Sequence, residues 1–279
     1  MKLIKNQTFQ NEREFYESDG VHIIGCRFEG KADGESAFKE SKNIRVTDCF
    51  WDLRYPFWHD NNLAIENTHL NENCRAALWY SENIRVDSSR LHGIKALREC
   101  ANIHIKNCDI ISAEFGWKNQ GVKMVDTSAK SEYCMLLSKN LEFENVTLDG
   151  KYSFQYIENA RFKNCNLNTK DAFWHGKNIV VEDSVINGEY LGWYAENITF
   201  INCKISGTQP LCYCKNLKLI NCEMESADLS FEKSEVEATL TSPVISIKNA
   251  LSGKIYVPEV KEIIKDKEEY KCEIIINQK

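Results

Sequence analysis

The stretch NITFINC at residues 197–203 decides the fold, because it returns nineteen residues later as NLKLINC at residues 216–222. Each copy starts with Asn, alternates apolar with polar residues and ends in Asn-Cys. The lead position recurs at residues 43, 62, 83, 102, 121, 140, 159, 178, 197 and 216, with one step of twenty-one and all others of nineteen. Degenerate copies start at Gly20, Glu235 and Lys254. Self-similarity at a fixed period is typical of repeat architectures.

The alternation within each copy, as in Ile198 and Phe200, is typical of a half-buried β-strand. Nineteen residues are too few for a strand, a crossover helix, a second strand and their loops. They suit two or three short strands in one turn of a coil, with successive coils paired in parallel about 4.8 Å apart. The sequence therefore predicts an all-β fold, a single-stranded parallel β-helix of about a dozen coils.

The two ends of such a stack need covering, because the terminal strands of a sheet are otherwise unpaired. We expect residues 20–257 to form the repeat domain, with caps at residues 1–19 and 258–279. In the second cap Pro258 predicts the start of a short helix that continues to Asp266, since Pro is favoured at the first helical position. Residues 270–276 then predict a final strand.

Two slots define the corner that ends each copy. The first contains Asn or Asp, which tolerate left-handed backbone, at Asp48, Asn67, Asn107, Asp126, Asn145, Asn164, Asp183, Asn202 and Asn221. The second contains small residues, and six of the twelve cysteines occupy it: Cys26, Cys49, Cys108, Cys165, Cys203 and Cys222. Ser, Thr and Val replace Cys there, so we interpret these cysteines as corner packing. The sequence does not assign a role to the other six cysteines, which are Cys74, Cys100, Cys134, Cys212, Cys214 and Cys272.

Composition narrows the classes of partner. The net charge is −6 and the charges are interleaved, which argues against nucleic acid because phosphate binding needs a basic surface. No apolar run is long enough to span a membrane, and the first residues lack the apolar core of a signal peptide. Cys212 and Cys214 form a CxC pair, but no CxxC pair with zinc-type spacing exists. We therefore expect a reduced, cytoplasmic protein without a metal or another cofactor.

The repeated Asn-Ile-x-x-x-Asn-Cys motif, over residues 20–257, resembles right-handed parallel β-helix proteins, the superfamily that includes pectate lyases. It is similar above all to an uncharacterised bacterial family of about this length, a domain of unknown function. The resemblance implies a right-handed coil. It implies no activity, because nothing here matches the calcium-binding acids and basic catalytic residue of pectate lyases.

One column of aromatic residues is the candidate functional surface. Five of the six tryptophans share the slot four residues before the lead position, which we call the Trp slot: Trp58, Trp79, Trp117, Trp174 and Trp193. Lys39, Arg98 and Gln155 share this slot, whereas the preceding slot never holds a charge, so alternation places the Trp slot outside. The following slot, which we call the polar column, contains His59, Tyr80, Glu99, Lys118, Tyr156, His175, Tyr194 and Tyr213.

Aromatic rings beside hydrogen-bonding groups suit sugars, which present apolar faces and hydroxyl edges. We therefore predict a carbohydrate-binding or carbohydrate-active protein. The predicted ligand-binding residues are Trp58, His59, Trp79, Tyr80, Arg98, Glu99, Trp117, Trp174, Trp193 and Tyr194. If the protein is an enzyme, it is a polysaccharide lyase or glycoside hydrolase, with Asp171, Glu189 and His175 as candidate catalytic groups. The alternative is a structural module without catalysis, in which the tryptophans pack together or join copies into a homo-oligomer.

Overall fold

The computed structural model describes residues 1–31 and 35–276, and it divides into two units, Met1–Glu142 and Phe143–Lys279. Strands and turns make up both units, and the described residues contain no helix. Consequently no helix in them is able to cross a membrane. The predicted all-β class is confirmed.

The first unit consists of short parallel strands that alternate between sheets. Its strands are β1 (Lys2–Lys5), β2 (Thr8–Phe9), β3 (Asp19–Ile24), β4 (Arg27–Phe28), β5 (Lys42–Thr47), β6 (Phe50–Trp51), β7 (Phe57–Trp58), β8 (Asn61–Glu66), β9 (His69–Leu70), β10 (Leu78–Trp79), β11 (Glu82–Asp87), β12 (Arg90–Leu91), β13 (Leu97–Arg98), β14 (Ala101–Lys106), β15 (Asp109–Ile111), β16 (Gln120–Val125), β17 (Ser128–Glu132) and β18 (Lys139–Glu144), which ends two residues beyond the boundary. One sheet has the order β1-β3-β5-β8-β11-β14-β16-β18, a second β2-β4-β6-β9-β12-β15-β17, and a third β7-β10-β13.

The second unit repeats this arrangement. Its strands are β19 (Thr147–Lys151), β20 (Glu158–Lys163), β21 (Asn166–Lys170), β22 (Lys177–Glu182), β23 (Val185–Asn187), β24 (Glu196–Ile201), β25 (Lys204–Thr208), β26 (Lys215–Cys222), β27 (Ala227–Asp228), β28 (Glu235–Leu240), β29 (Val244–Lys248), β30 (Ser252–Val257), β31 (Val260–Ile264) and β32 (Glu273–Ile276). The sheet orders are β20-β22-β24-β26-β28-β30-β32, β19-β21-β23-β25-β27 and β29-β31.

Strand register confirms the coil. On β22 and β24, Ile179 lies opposite Ile198, nineteen residues later, and Ile198 lies opposite Leu217 on β26. Equivalent residues of successive coils are therefore neighbours, and the inward ones are buried: Ile179 and Ile198 have no exposed surface. Burial of each such side chain contributes about 1.5–3 kcal/mol.

The stack is longer than predicted. The sheet that begins with β1 has eight strands in the first unit, and the sheet that begins with β20 has seven in the second unit. These fifteen strands, counted within residues 1–31 and 35–276, correspond to about fourteen turns rather than a dozen. Both segments expected to be caps contribute strands, because β1 pairs with β3 and β32 pairs with β30. The division of the chain into caps and a repeat domain stays a prediction.

Two details at the C-terminal end are corrected. The short helix predicted from Pro258 is wrong, because Val260–Ile264 is the strand β31 and pairs with β29. An open sheet edge satisfies the backbone groups of this segment, which outweighs the local helix signal of Pro258. The last degenerate copy starts at Ser252, which lies opposite Glu235, rather than at Lys254. The predicted final strand is present as β32, although it begins only at Glu273.

The corner slots have the predicted conformation. The lead Asn and the later Asn or Asp both adopt left-handed backbone, for example φ 55° at Asn197 and 52° at Asn202. Side-chain amides bond between coils: Asn197 Nδ2 donates to Asn178 Oδ1 at 3.0 Å, and Asn202 Nδ2 donates to Asp183 Oδ1 at 3.0 Å. Two amide ladders result, one at the lead position and one at the Asn/Asp slot of the corner.

The side chains of the small slot do more than fit a tight corner, because they also accept hydrogen bonds. The backbone N–H of Cys49 donates to Thr68 Oγ1 in the next coil at 3.2 Å, and that of Thr68 donates to Ser89 Oγ at 3.0 Å. Cys26 N–H is directed in the same way at Cys49 Sγ, at 3.4 Å. A small side chain with a lone pair thus satisfies a buried N–H of the preceding coil.

All twelve cysteines are free thiols, and eleven of them are buried. This places five of the six unassigned cysteines in the interior, including Cys100 and Cys214. Burial raises the pKa of each of these two thiols to about 12. Only Cys272 is partly exposed, and burial raises its pKa to about 11. The thiols of Cys100 and Cys214 are therefore protonated packing groups.

Gly121 interrupts the lead Asn ladder of the first unit, between Asn102 and Asn140. Its φ of 72° suits Asn, and an added Cβ would lie 3.6 Å from Asn102 Oδ1, an ordinary contact. We expect Gly121→Asn to complete the ladder and to raise the free energy of unfolding by about 0.5–1 kcal/mol. Urea denaturation measures this gain. The control Gly121→Ala supplies a Cβ without an amide and should lower stability, because Ala disfavours left-handed backbone.

Candidate functional site

The Trp slot faces outward, as predicted. The slot before it is fully buried at Phe57, Leu78 and Phe173, each with 0% exposure. The tryptophans that follow these residues are half-buried. Strand alternation therefore places the indoles on the outer surface, where neighbouring coils cover part of each ring.

In the first unit the Trp slot forms a continuous stack. The rings of Trp58 and Trp79 are parallel within 4° and 5.1 Å apart. Arg98 continues the stack, with its guanidinium carbon 5.1 Å from the centre of Trp79 and 5.5 Å from that of Trp117. Cation–π contacts of this kind are attractive. The ring faces between these residues are therefore covered.

In the second unit Trp174 and Trp193 repeat the arrangement, with ring centres 5.4 Å apart and planes within 3°. Their indole N–H groups donate to backbone carbonyls of the next coil, Trp174 to Tyr190 O at 2.6 Å and Trp193 to Gln209 O at 2.8 Å. Gln155 occupies the same slot one coil earlier and makes the equivalent bond, from Nε2 to Asp171 O at 3.2 Å.

The same indole bond recurs in the first unit, from Trp58 to Ala76 O, Trp79 to Lys95 O and Trp117 to Tyr133 O, at 2.7–2.8 Å. The Trp slot therefore joins coils through its N–H groups as well as its ring faces. Because both are used internally, a ligand reaches mainly the outer edges of these indoles.

The polar column of the second unit is a ladder of four rings, which we call the ring ladder: Tyr156, His175, Tyr194 and Tyr213. Successive ring centres are 4.8, 5.0 and 4.8 Å apart, and the planes are within 11° of parallel. All four residues have left-handed backbone, with φ of 54–61°, which places them at a corner of each coil. Tyr156 and Tyr194 are exposed to 49% and 45%. Stacking covers the ring faces, so the ladder presents phenol and imidazole edges to solvent.

Tyr213 closes this ladder at one end. Burial, followed by the nearby Glu232, raises the pKa of its phenol. The ammonium of Lys233 lies 5.8 Å from the centre of its ring. The Tyr213 hydroxyl therefore stays protonated at neutral pH and is able to donate a hydrogen bond.

The polar column of the first unit is shorter and charged. His59 and Tyr80 stack at 4.9 Å. Glu99 follows, with its carboxylate 3.1 Å from Arg98 Nε and 3.9 Å from Lys118 Nζ. This column thus combines one pair of rings with a cluster of ion pairs.

An exposed amide ladder runs three residues from the ring ladder, and our predicted ligand-binding set did not include it. It consists of Asn159, Asn178, Asn197 and Asn216, joined by Nδ2–Oδ1 hydrogen bonds of 3.0, 3.0 and 2.8 Å. Each bond uses one N–H of an amide that has two, and one of two oxygen lone pairs. The ladder therefore keeps a donor and an acceptor per coil for a ligand. Its fixed distance from the ring ladder was visible in the repeat.

The three candidate catalytic residues are placed differently. His175 is an inner rung of the ring ladder, between Tyr156 and Tyr194. Asp171 is only 5% exposed, whereas Glu189 is exposed. Lys170 Nζ lies 3.9 Å from the carboxylate of Asp171 and 3.7 Å from that of Glu189.

Burial is the main cause that raises the pKa of Asp171, with Lys170 acting against it and Glu189 with it. A carboxyl group so little exposed is poorly placed to reach a glycosidic bond. The catalytic assignment of these residues stays a prediction.

The described residues include no group of three or more His, Cys, Asp or Glu side chains arranged to hold a metal ion. An open depression of about 680 Å³ lies in the first unit beside the polar column, lined by Glu17, Ser18, Asp19, Glu40, Lys42 and His59. His59 and the three carboxylates of Glu17, Asp19 and Glu40 therefore line one depression.

Comparison with known proteins identifies one matching family model, described as "Protein of unknown function (DUF3737)", over residues 2–277. A comparison with curated proteins found no match.

Among solved structures, the A-module of mannuronan C-5 epimerase AlgE4 from Azotobacter vinelandii is similar, with a TM-score of 0.34, 7% identity and coverage of 99% of this chain and 88% of that chain. PfbA, a surface adhesin of Streptococcus pneumoniae, has a TM-score of 0.33 and 9% identity, over 98% of this chain and 82% of that one. A tailspike protein double mutant of E. coli bacteriophage HK620 has a TM-score of 0.32 and 9% identity, over 90% and 60%. We draw no functional argument from similarities this low.

Proposed function

This chain belongs to the DUF3737 family, whose function is unknown, and we propose that it is a carbohydrate-binding protein that uses the ring ladder of its second unit. The observation in favour is the row of four parallel, stacked rings at Tyr156, His175, Tyr194 and Tyr213, spaced 4.8–5.0 Å apart. Tyr156 and Tyr194 are exposed, and His175 and Tyr213 are half-buried. The edges of these rings present hydroxyl and imidazole groups at regular intervals, which match the hydroxyl edges of sugars.

The polarity of the surface favours a hydroxylated ligand over self-association. The ring ladder exposes phenol tips, and the neighbouring amide ladder offers one donor and one acceptor per coil. A homo-oligomeric interface would instead be expected to expose an apolar centre, and the apolar indole faces are stacked on one another.

Binding is proposed rather than catalysis, because the groups that face solvent differ from those a glycosidase needs. Inverting and retaining enzymes both place two carboxyl groups on either side of the scissile bond. Here Asp171 is buried, and Lys170 contacts it together with Glu189. His175 is held by ring stacking on both sides.

Replacement of Tyr194 by Ala tests the proposal. We expect Tyr194→Ala to weaken glycan binding by about tenfold or more, since it removes a hydroxyl and interrupts the ladder. A broad glycan panel identifies the ligand, and titration of tryptophan fluorescence measures affinity, because the Trp193 and Tyr194 ring centres are 6.4 Å apart.

The matched control is Tyr256→Ala, a tyrosine of the second unit that is 38% exposed and lies outside the ladder on β30. It should bind as the parent does. Circular dichroism verifies that both variants are folded. Failure of the parent protein to respond to any glycan of the panel would contradict the proposed function.

A further inference from the structure

We propose that the ligand of the ring ladder is an uncharged, extended polysaccharide that runs along the stacking direction of the second unit. The inference rests on the proposed function, and it specifies the charge, the minimum length and the direction of the ligand.

The direction follows from the repeat. Rungs recur every 4.8–5.0 Å, and each is accompanied by one amide of the Asn ladder. A ligand that lies along the stack meets the same pair of groups in every coil, so it matches best when its own groups repeat at a similar distance. One sugar unit of an extended polysaccharide advances by about the separation of two stacked coils. A ligand that crosses the stack would use one rung and leave the others unpaired.

The length follows from the number of rungs. The ladder has four rings, and the ammonium of Lys233 lies over the ring of Tyr213, the last of the four, 5.8 Å from its centre. Each further sugar up to the fourth therefore gains a new ring edge, whereas a fifth gains none. Binding energy should grow in steps and then level off.

The absence of charge on the ligand is inferred from the slot that lies between the ring ladder and the amide ladder. This slot holds Glu158, Lys177, Glu196 and Lys215, so that the sign alternates from coil to coil. Lys177 Nζ and Lys215 Nζ lie 3.4 and 3.9 Å from the carboxylate of Glu196, and Glu158 lies opposite Lys177 in register.

A polyanionic chain along this slot would meet a carboxylate at every second coil. Acidic ligands are usually held by unopposed Arg or Lys groups, whereas the lysines of this slot already have acidic partners. An uncharged chain avoids the repulsion and is able to use the amides and phenols on either side.

Calorimetric titration with two matched series tests all three features. One series contains uncharged hexose oligomers from monosaccharide to hexasaccharide, and the other contains uronic acid oligomers of the same lengths. We expect affinity for the uncharged series to rise up to the tetrasaccharide and then to level off. The uronic series should bind at least about tenfold more weakly. Affinity for the uncharged series should change by less than about twofold between low and physiological salt, because screening acts on charges.

Two variants test where the polysaccharide lies on the ring ladder. His175→Ala leaves Tyr156 isolated, so the plateau should move to the disaccharide that contacts Tyr194 and Tyr213. Tyr194→Phe keeps the stack and removes one hydroxyl, so it should weaken every oligomer that reaches this rung. Tyr256→Phe, outside the ladder, should change nothing.

The outcomes separate the inference from the function on which it rests. If the uronic series binds more tightly, or if a monosaccharide binds as tightly as a tetrasaccharide, the inference is overturned and carbohydrate binding stands. If neither series nor any other glycan binds, both are overturned.

Discussion

Replacement of Asp60 by Asn is expected to stabilise the first unit by about 4 kcal/mol at pH 7 and to remove most of the pH dependence of its unfolding. Asp60 is 2% exposed. Its Oδ1 accepts the backbone N–H of Ser41 at 2.8 Å, and its Oδ2 has no hydrogen-bond partner among the described residues. Burial, opposed only by the Ser41 hydrogen bond, raises the pKa of Asp60 to about 8.

The sign follows from proton linkage. Between the unfolded pKa of about 3.8 and the folded pKa of about 8, the folded chain binds the proton that the unfolded chain has lost. Stability therefore falls as pH rises through this window, by up to about 1.4 kcal/mol per pH unit, and the loss is complete above it. An amide at this position is neutral at every pH and has no such loss.

The chain supplies its own precedent for this substitution. Asn119 occupies the same slot, and its Oδ1 accepts the backbone N–H of Cys100 at 2.8 Å. Its Nδ2 is also buried without a partner in the described residues. The amide introduced by Asp60→Asn would thus keep the bond to Ser41 and reproduce an arrangement that this fold already contains.

Urea denaturation of the parent and of Asp60→Asn at pH 5, 7 and 9, followed by tryptophan fluorescence, measures the effect. The control is Asp48→Asn, an exposed acid in a slot where other coils contain Asn. This control should leave the pH dependence of the parent nearly unchanged. An unfolding free energy of Asp60→Asn that falls with pH as steeply as that of the parent would show that Asp60 is not the buried acid responsible.

The fold was predictable because one side-chain requirement repeats in every coil. The constant step between lead asparagines gave the register, so that Ile179 could be matched to Ile198 from the sequence alone. The helix predicted from Pro258 was wrong because this segment lacks that repeated requirement. The repeat is degenerate there, and only the free edge of β29 determines that Val260–Ile264 pairs as a strand.

The candidate site was predictable in position and only partly in geometry. Alternation placed the tryptophans outside, and the spacing placed Trp174 above Trp193. Periodicity carries no information on ring orientation, however, and the parallel planes of these indoles cover the faces that a sugar would otherwise contact. Asp60 was also missed, because a lone acid beside His59 resembles a surface residue. Comparison with Ser41 and Ser81, which share its slot and are buried, was the available signal.

The second large predicted effect is a loss of stability at Gly207, where the backbones of two coils approach closely. This glycine lies on β25 with φ of 123°, a conformation that L side chains rarely adopt. An added Cβ would lie 2.2 Å from the backbone oxygen of Gly188 in the preceding coil. Backbone cannot rotate out of the way as a side chain does, so the two coils would have to separate.

We expect Gly207→Ala to lower the free energy of unfolding of the second unit by about 3 kcal/mol or more, from backbone strain together with the clash. The matched control is Gly176→Ala. An added Cβ there would lie 2.5 Å from the terminal methyl carbon of the Ile179 side chain and 3.1 Å from the backbone oxygen of Phe173, and φ is not in the left-handed region. Its tightest contact is thus with the end of a side chain, whereas at Gly207 it is with backbone. The equivalent residue of the next coil is Ala195, which is fully buried, so the control should cost less than about 1 kcal/mol.

Urea denaturation of both variants, followed by tryptophan fluorescence, compares the two costs directly. Because Gly207 lies near the end of β25, and the turn that follows this strand leads to Tyr213, the same strain should also misplace the last ring of the ring ladder. Glycan affinity of Gly207→Ala, measured under conditions where it is folded, should therefore fall more for a tetrasaccharide than for a disaccharide. Equal stability of the Gly207 and Gly176 variants would mean that the coils tolerate separation at this point, and that contact between their backbones does not fix the spacing of the ladder.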